Sequence, residues 1–295
     1  MTMNDITVGI YSYKGKKLFE TIEQLVLHKS ENTHLTINVK DQHPMDRYEN
    51  FKDIMNTYND ISGSYHHVFW DWIVSPIAHK EELLRIAKGK YYLFLSDNVS
   101  VKKNWDKDLI DHFETNNSII SGCGKIKLKH KNLFYLDVEV EDSDNFTLSN
   151  YINRDFIFGT TDIFKRYSMP KYLKYDGEEE VLSLQYFTNN IDIFSAPSDM
   201  YSYNCETSIK NIYTPFQTSH YYNKAIRLIK NGQNEFGSVL SKIRDHALFW
   251  DYHKIDVKKI KYLPFENDDV LYNPNGSKYD KIDGRRFIDK QNEIN

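Results

Sequence analysis

One run of this chain has the residue types for acid–base work. Tyr175-Asp176-Gly177-Glu178-Glu179-Glu180 leads directly into Val181-Leu182-Ser183-Leu184-Gln185-Tyr186-Phe187-Thr188. A glycine turn and three carboxylates stand at the mouth of what the spacing predicts to be an amphipathic helix. Negative side chains in a first helical turn suit the positive end of the macrodipole. A Glu fixed there can be aimed into a cleft, as a general base or a carboxylate gripping hydroxyl groups must be. Glu178 and Glu179 are the candidates. An acidic N-cap on an ordinary surface helix is the plainer alternative, so the run takes its meaning from what lies upstream.

Upstream, Tyr91-Tyr92-Leu93-Phe94-Leu95 is a continuous apolar run that suits a central parallel strand buried on both faces. It ends in Ser96-Asp97-Asn98. Two further strands end in polar residues: Ile6-Thr7-Val8-Gly9-Ile10 runs into Tyr11-Ser12-Tyr13, and Leu35-Thr36-Ile37-Asn38-Val39 into Lys40-Asp41-Gln42. Between them Leu18, Ile22, Leu25 and Val26 recur at helical spacing, which makes a βαβ unit. Residues 43 to 65 look irregular or weakly helical, and His66 to Trp72 suggests a short strand. Pro76 opens a helix through Leu83, Leu84 and Ile86, closed by Gly89. Further strands are expected at Ile119–Gly122, Phe156–Gly159 and Ile191–Phe194. Helices are expected around Leu109–Phe113, Ala225–Ile229 and Phe236–Ile243. The fold class is α/β, a mostly parallel sheet flanked by helices. Ligands in such sheets gather at the C-terminal ends of the strands.

At 295 residues and 40% hydrophobic composition the chain can bury a sizeable core. The net charge of -4 gives no global pull toward nucleic acid or anionic membrane. Locally, however, Lys125-Ile126-Lys127-Leu128-Lys129 alternates strictly, so its three lysines share one strand face. The two cysteines, Cys123 and Cys205, make no disulfide framework. With no leader and no apolar run of spanning length, the sequence is expected to be cytoplasmic.

The ordered succession of these motifs resembles GT-A glycosyltransferases, and within them the hydroxyproline-type GlcNAc-transferase family. The resemblance runs through Val8-Gly9-Ile10 with Tyr13, Thr21-Ile22, Val39 with Gln42, Pro76 and Ala78, and Leu93-Phe94-Leu95. It continues through Trp105-Asp106, Phe158, Pro170, Gly177-Glu178-Glu179, Leu182-Ser183, Thr188 and Pro197. The acidic helix is also similar to that of mucin-type polypeptide transferases. The likeness covers roughly residues 6 to 205, so a catalytic domain over 1–205 and a helical C-terminal extension or lid over 206–295 are expected. It implies a nucleotide-sugar donor, UDP-linked by preference, held by Gly9, Tyr11, Tyr13, Asp41, Gln42 and Asp97. It also implies Mn or Mg at the diphosphate, because hard oxygen ligands on a cation neutralise a departing diphosphate. Here Ser96-Asp97-Asn98 stands where the family has Asp-x-His or Asp-x-Asp, and Asn204 falls near the position of its late histidine. Asp97 and Asn98 with His220 are therefore the expected ligands, and Lys, Arg or His side chains are the metal-free alternative.

The acceptor is open. The lysine face of 125 to 129 could track a phosphate backbone, and the Lys/Asn/Tyr/Ile-rich style looks like tailed-phage proteins. Hydroxymethylated cytosine in double-stranded phage DNA is thus the first expectation. A protein or glycan hydroxyl is the second. An inactive GT-A module used for binding is the alternative of another class.

Overall fold

In the computed structural model the described residues are 4–13, 15–43, 45–68, 76–123, 125–131, 135–167, 178–203, 223, 225–233, 240–260, 271–272 and 278–279. The first unit is β1 (Asn4–Tyr13), α1 (Leu18–His28) and β2 (Thr33–Gln42), followed by α2 (Tyr48–Thr57), β3 (Ile61–His67), α3 (Pro76–Ile86) and β4 (Tyr91–Ser96). Then come β5 (Val99–Val101), α4 (Trp105–Asn116), β6 (Ile119–Cys123), β7 (Lys125–Lys131), β8 (Tyr135–Glu141), β9 (Thr147–Leu148), β10 (Phe156–Thr160), α5 (Thr161–Arg166) and α6 (Glu178–Thr188). The chain continues through β11 (Ile193–Ala196), β12 (Tyr201–Tyr203), α7 (residues 225–231), α8 (His246–Tyr252), β13 (Leu271–Tyr272) and β14 (Lys278–Tyr279).

Eight strands form the main sheet in the order β3-β2-β1-β4-β10-β6-β11-β9. The block β3-β2-β1-β4 is parallel throughout, β10 runs antiparallel between β4 and β6, and β11 returns parallel to β6. Residues 43–65, expected to be irregular or weakly helical, hold the helix α2 and, beyond that expectation, most of the strand β3. The reason is position: β3 is the edge strand, its sequence ISGSYHH is mostly exposed or half-buried, and it carries no apolar run to announce it. Trp70 and Trp72 lie outside the described residues.

Period-2 alternation sorts side chains to the two faces. Ile6, Val8, Ile10, Leu35, Ile37, Val39, Leu93 and Leu95 pack with α1, α2 and α4. Trp105 is fully buried there and donates its indole N–H to the Leu25 carbonyl at 3.2 Å. Tyr11, Tyr92 and Phe94 pack on the opposite face with α3, α5 and α6. Full burial of such side chains stabilises the fold by roughly 1.5–3 kcal/mol each.

The acidic helix is not amphipathic. Of its eleven residues, nine are buried, from Glu178 and Glu180 through Thr188. One side meets the sheet through Leu182 and Tyr186. The other meets the C-terminal part through Val181, Leu184 and Phe187, which share a core with Ala225, Ile226, Ile229, Phe249 and Trp250. The expected helix at Phe236–Ile243 is not found in its described part, residues 240–243. Instead α8 starts after Asp245, whose carboxylate accepts from the Ala247 N–H at 2.9 Å as an N-cap. No described helix is long and apolar enough to cross a membrane.

Candidate functional site

The C-terminal ends of β1, β2 and β4 lie side by side, with Tyr11 opposite both Lys40 and Ser96. Alternation divides the polar residues of this rim between two faces. Ser12, Asp41 and Asp97 continue the rows of Ile10, Val39 and Leu95. Tyr11 and Ser96 continue the rows of Gly9 and Phe94 on the face of α3 and α6.

On the first face Asp41 is fully buried and bound by three donor groups. Arg47 grips it with two bonds, Nε to Oδ2 at 2.8 Å and Nη2 to Oδ1 at 2.7 Å, and the Tyr65 hydroxyl donates to Oδ2 at 2.7 Å. Arg47 also donates through Nη1 to the Gly15 carbonyl at 2.7 Å, which draws the β1–α1 loop over the strand ends. Gly15 lies against Asp97 so closely that a Cβ there would run into Oδ2 and force the carboxylate to shift. That Oδ2 is buried and has no hydrogen-bond partner among the described residues. Burial pushes the Asp97 carboxyl up to about 6, and Asp41 adds to the rise while Ser12 and Arg47 oppose it.

On the second face the Tyr11 hydroxyl donates to Gln42 Oε1 at 2.9 Å, and His79 of α3 stacks on the Tyr11 ring at 5.1 Å. His79 is buried, and neither ring nitrogen has a hydrogen-bond partner among the described residues. Desolvation lowers its pKa to about 4, so the imidazole is neutral near pH 7. Tyr13 is half-buried, and burial raises its phenol. Gly9 has a packing duty: the Tyr92 side chain occupies the space its Cβ would need.

A polar chain links the end of β4 to α6. The Ser96 hydroxyl donates to Asp155 Oδ1 at 2.6 Å, and the Ser96 N–H donates to the Asp155 carbonyl at 3.1 Å. The neighbouring Arg154 N–H donates to Glu179 Oε1 at 3.0 Å. Glu179 is raised in pKa chiefly by burial, with Asp155 and Glu178 adding to the rise and Arg154 opposing it. Glu178 is buried in an ion pair with Lys80 of α3, Nζ to Oε1 at 2.7 Å. The structure thus brings Ser96, Glu178 and Glu179 to one region. Asp97 is turned toward the other face, beside Ser12 and Gly15.

Among the described residues no three His, Cys, Asp or Glu side chains form a group able to hold a metal ion. His220 and Asn204 lie outside the described residues, as do Tyr175-Asp176-Gly177. Asp97 offers one carboxylate, so the described donor set does not make a cage for Mn or Mg. The lysines expected to meet an acceptor sit on β7, paired antiparallel with β8. Their register sets Lys125 opposite Glu141, Lys127 opposite Glu139, and Lys129 opposite Asp137. The register thus sets one acid opposite each of the three lysines.

Sequence reasoning missed Arg47, Tyr65, His79, Lys80, Arg154 and Asp155. Lys80 and His79 left a faint signal as polar residues just inside a proline-started helix. Arg47 left none, because its partners lie on β1, β2 and β3.

Neither a protein-family model nor a curated protein sequence matches the chain. Solved structures do. S. aureus TarS 1-349 in complex with UDP-GlcNAc superposes with a TM-score of 0.56 at 16% identity, over 78% of this chain and 67% of that one. A longer S. aureus TarS structure gives 0.55 at 15% identity, and the chain spans 40% of its length. GalNAc-T7 with UDP, GalNAc and Mn2+ gives 0.57 at 11% identity, over 86% of this chain and 55% of that one. The fold is GT-A.

Proposed function

We propose that this GT-A chain is a nucleotide-sugar-dependent glycosyltransferase, with a UDP-sugar as donor. The observation that carries the proposal is the path of hydrogen bonds from Ser96 to Asp155 and from its chain neighbour Arg154 to Glu179. It couples the strand end where the fold receives a nucleotide to the helix start where an acceptor would be deprotonated. The TarS and GalNAc-T7 structures, one holding UDP-GlcNAc and the other UDP, support the donor class.

In this reading Tyr11, Tyr13 and Gln42 contact the nucleoside, and Gly9 allows the backbone around them to pack. Asp41 acts through Arg47, which it orients at the rim, and Asp97 sets the β1–α1 loop against the diphosphate side. Glu179 takes the proton from the acceptor hydroxyl. The acceptor oxygen bonds to the anomeric carbon, the bond from that carbon to the diphosphate oxygen breaks, and the nucleoside diphosphate leaves with the electron pair. A raised carboxyl pKa suits a base that must be partly protonatable near the working pH. The cation role expected of Asp97, Asn98 and His220 enters no step here.

The β7–β8 register, with an acid opposite each lysine, favours a hydroxyl on a protein or glycan over a base in duplex DNA. A phosphate track requires unneutralised cations.

The test is donor hydrolysis and thermal shift with UDP-GlcNAc and UDP-GalNAc, with and without Mn2+. Stabilisation and turnover are expected, and Glu179→Gln is expected to lose roughly 10²-fold or more in turnover with donor binding retained. No shift and no turnover with either donor would leave the inactive binding module as the better account.

A further inference from the structure

Two carboxylates stand side by side at the start of α6, and a proton acceptor needs only one of them. The structure treats the two differently. Glu178 points toward α3 and is buried to 3% exposure against the Lys80 ammonium, itself 5% exposed, which also lies over the Phe94 ring at 4.5 Å. Glu179 points the other way, toward the segment leading into β10, and is held by the Arg154 N–H. An ion pair so buried has lost its hydration and persists only because each partner satisfies the other. Both partners lie in the first two turns of their helices. The pair therefore pins the start of α3 to the start of α6.

We propose that Lys80 is a positioning residue for the acidic pair. By holding Glu178 as a fixed, neutralised charge, it leaves Glu179 as the one carboxylate available to take the acceptor's proton. The inference rests on the transferase reading and deepens it by assigning distinct roles to the two glutamates.

Arg154, Asp155 and Glu178 act on Glu179 directly, and further charged and titratable groups stand on its own helix and on the packed α3. Glu178 and Glu180 are on its own helix, Arg154 and Asp155 precede β10, and Lys80 and His79 lie on α3. Tyr151 donates to Glu180 at 3.5 Å. Loss of the Lys80 charge would leave Glu178 as an uncompensated negative charge beside Glu179. A like charge disfavours ionisation, so a base ionised at its working pH would need a higher pH to stay so.

The experiment is the pH profile of UDP-GlcNAc hydrolysis by the full chain, with kcat and KM separated. Lys80→Met is expected to lower kcat about 10-fold or more and to move the acidic limb to higher pH, with KM changing less than about 3-fold. Lys80→Arg restores the charge and should return the limb toward its wild-type position. Adding Glu178→Gln to Lys80→Met removes the stranded charge and should also return it. Urea unfolding of each variant separates these effects from lost stability. An active wild type whose Lys80→Met variant keeps the limb in place would overturn the inference and spare the transferase reading. So would a Glu178→Gln variant as inactive as Glu179→Gln. A wild type that turns over neither UDP-GlcNAc nor UDP-GalNAc overturns both.

Discussion

At the scale of single residues, Asp97 illustrates how burial changes what a motif aspartate does. Its carboxyl is pushed up to about 6 by burial against Gly15, and Oδ2 has no hydrogen-bond partner among the described residues. A carboxyl whose folded pKa exceeds its unfolded value favours the folded state only while protonated. That contribution is complete below about pH 4, is lost as the pH rises toward about 6, and is absent at pH 7. Asp97→Asn keeps the shape without the charge. It should therefore raise stability at pH 7.5 by on the order of 2 kcal/mol and change little at pH 4. Chemical unfolding at the two pH values measures this, and equal effects at both would show that the carboxylate bears no burial cost. Asp41 is the opposite case, a fully buried carboxylate answered by Arg47.

At the scale of elements, β1 and β4 are fitted to each other through one glycine. Gly9 leaves room for the Tyr92 ring, whose hydroxyl is buried with no partner among the described residues. Gly9→Ala should destabilise by about 2–3 kcal/mol through overpacking. Tyr92→Phe alone removes an unsatisfied hydroxyl and should be neutral or stabilising. Combined with Gly9→Ala it should recover part of the loss, since the hydroxyl is the nearest atom to the new methyl group. Additive effects in that double-mutant cycle would contradict the fit. The strands themselves were legible where burial made them continuous, as in Tyr91–Leu95. β3 was not, because an edge strand needs no apolar face.

At the scale of the whole molecule, described residues beyond 205 share a core with α6. Phe249, Trp250 and Ile226 cover the side of α6 that the sheet leaves bare. Truncation after residue 205 would expose Val181, Leu184 and Phe187 on the helix that carries both glutamates. The truncated chain should aggregate or unfold cooperatively at much lower temperature than the full chain. Phe249→Ala, with its ring fully buried, should cost about 3–5 kcal/mol. A truncated chain with full thermal stability would support 1–205 as a self-sufficient domain.

The sequence by itself determined the βαβ unit, the parallel block around β4, and the placing of the acidic run at a helix start. Each is a local matter of period, burial and turn chemistry. It also marked Tyr11, Gln42, Asp97, Glu178 and Glu179 as rim residues, because strand ends and helix starts are visible in one dimension. Only the tertiary structure decided how those residues divide. It turned Asp97 toward Gly15, bound Asp41 to Arg47, tied Glu178 to Lys80 and left Glu179 with the Arg154 amide. It also set an acid opposite each lysine of β7. All of these depend on contacts between segments far apart in the chain, and a buried charge takes its character from the partner that the fold delivers.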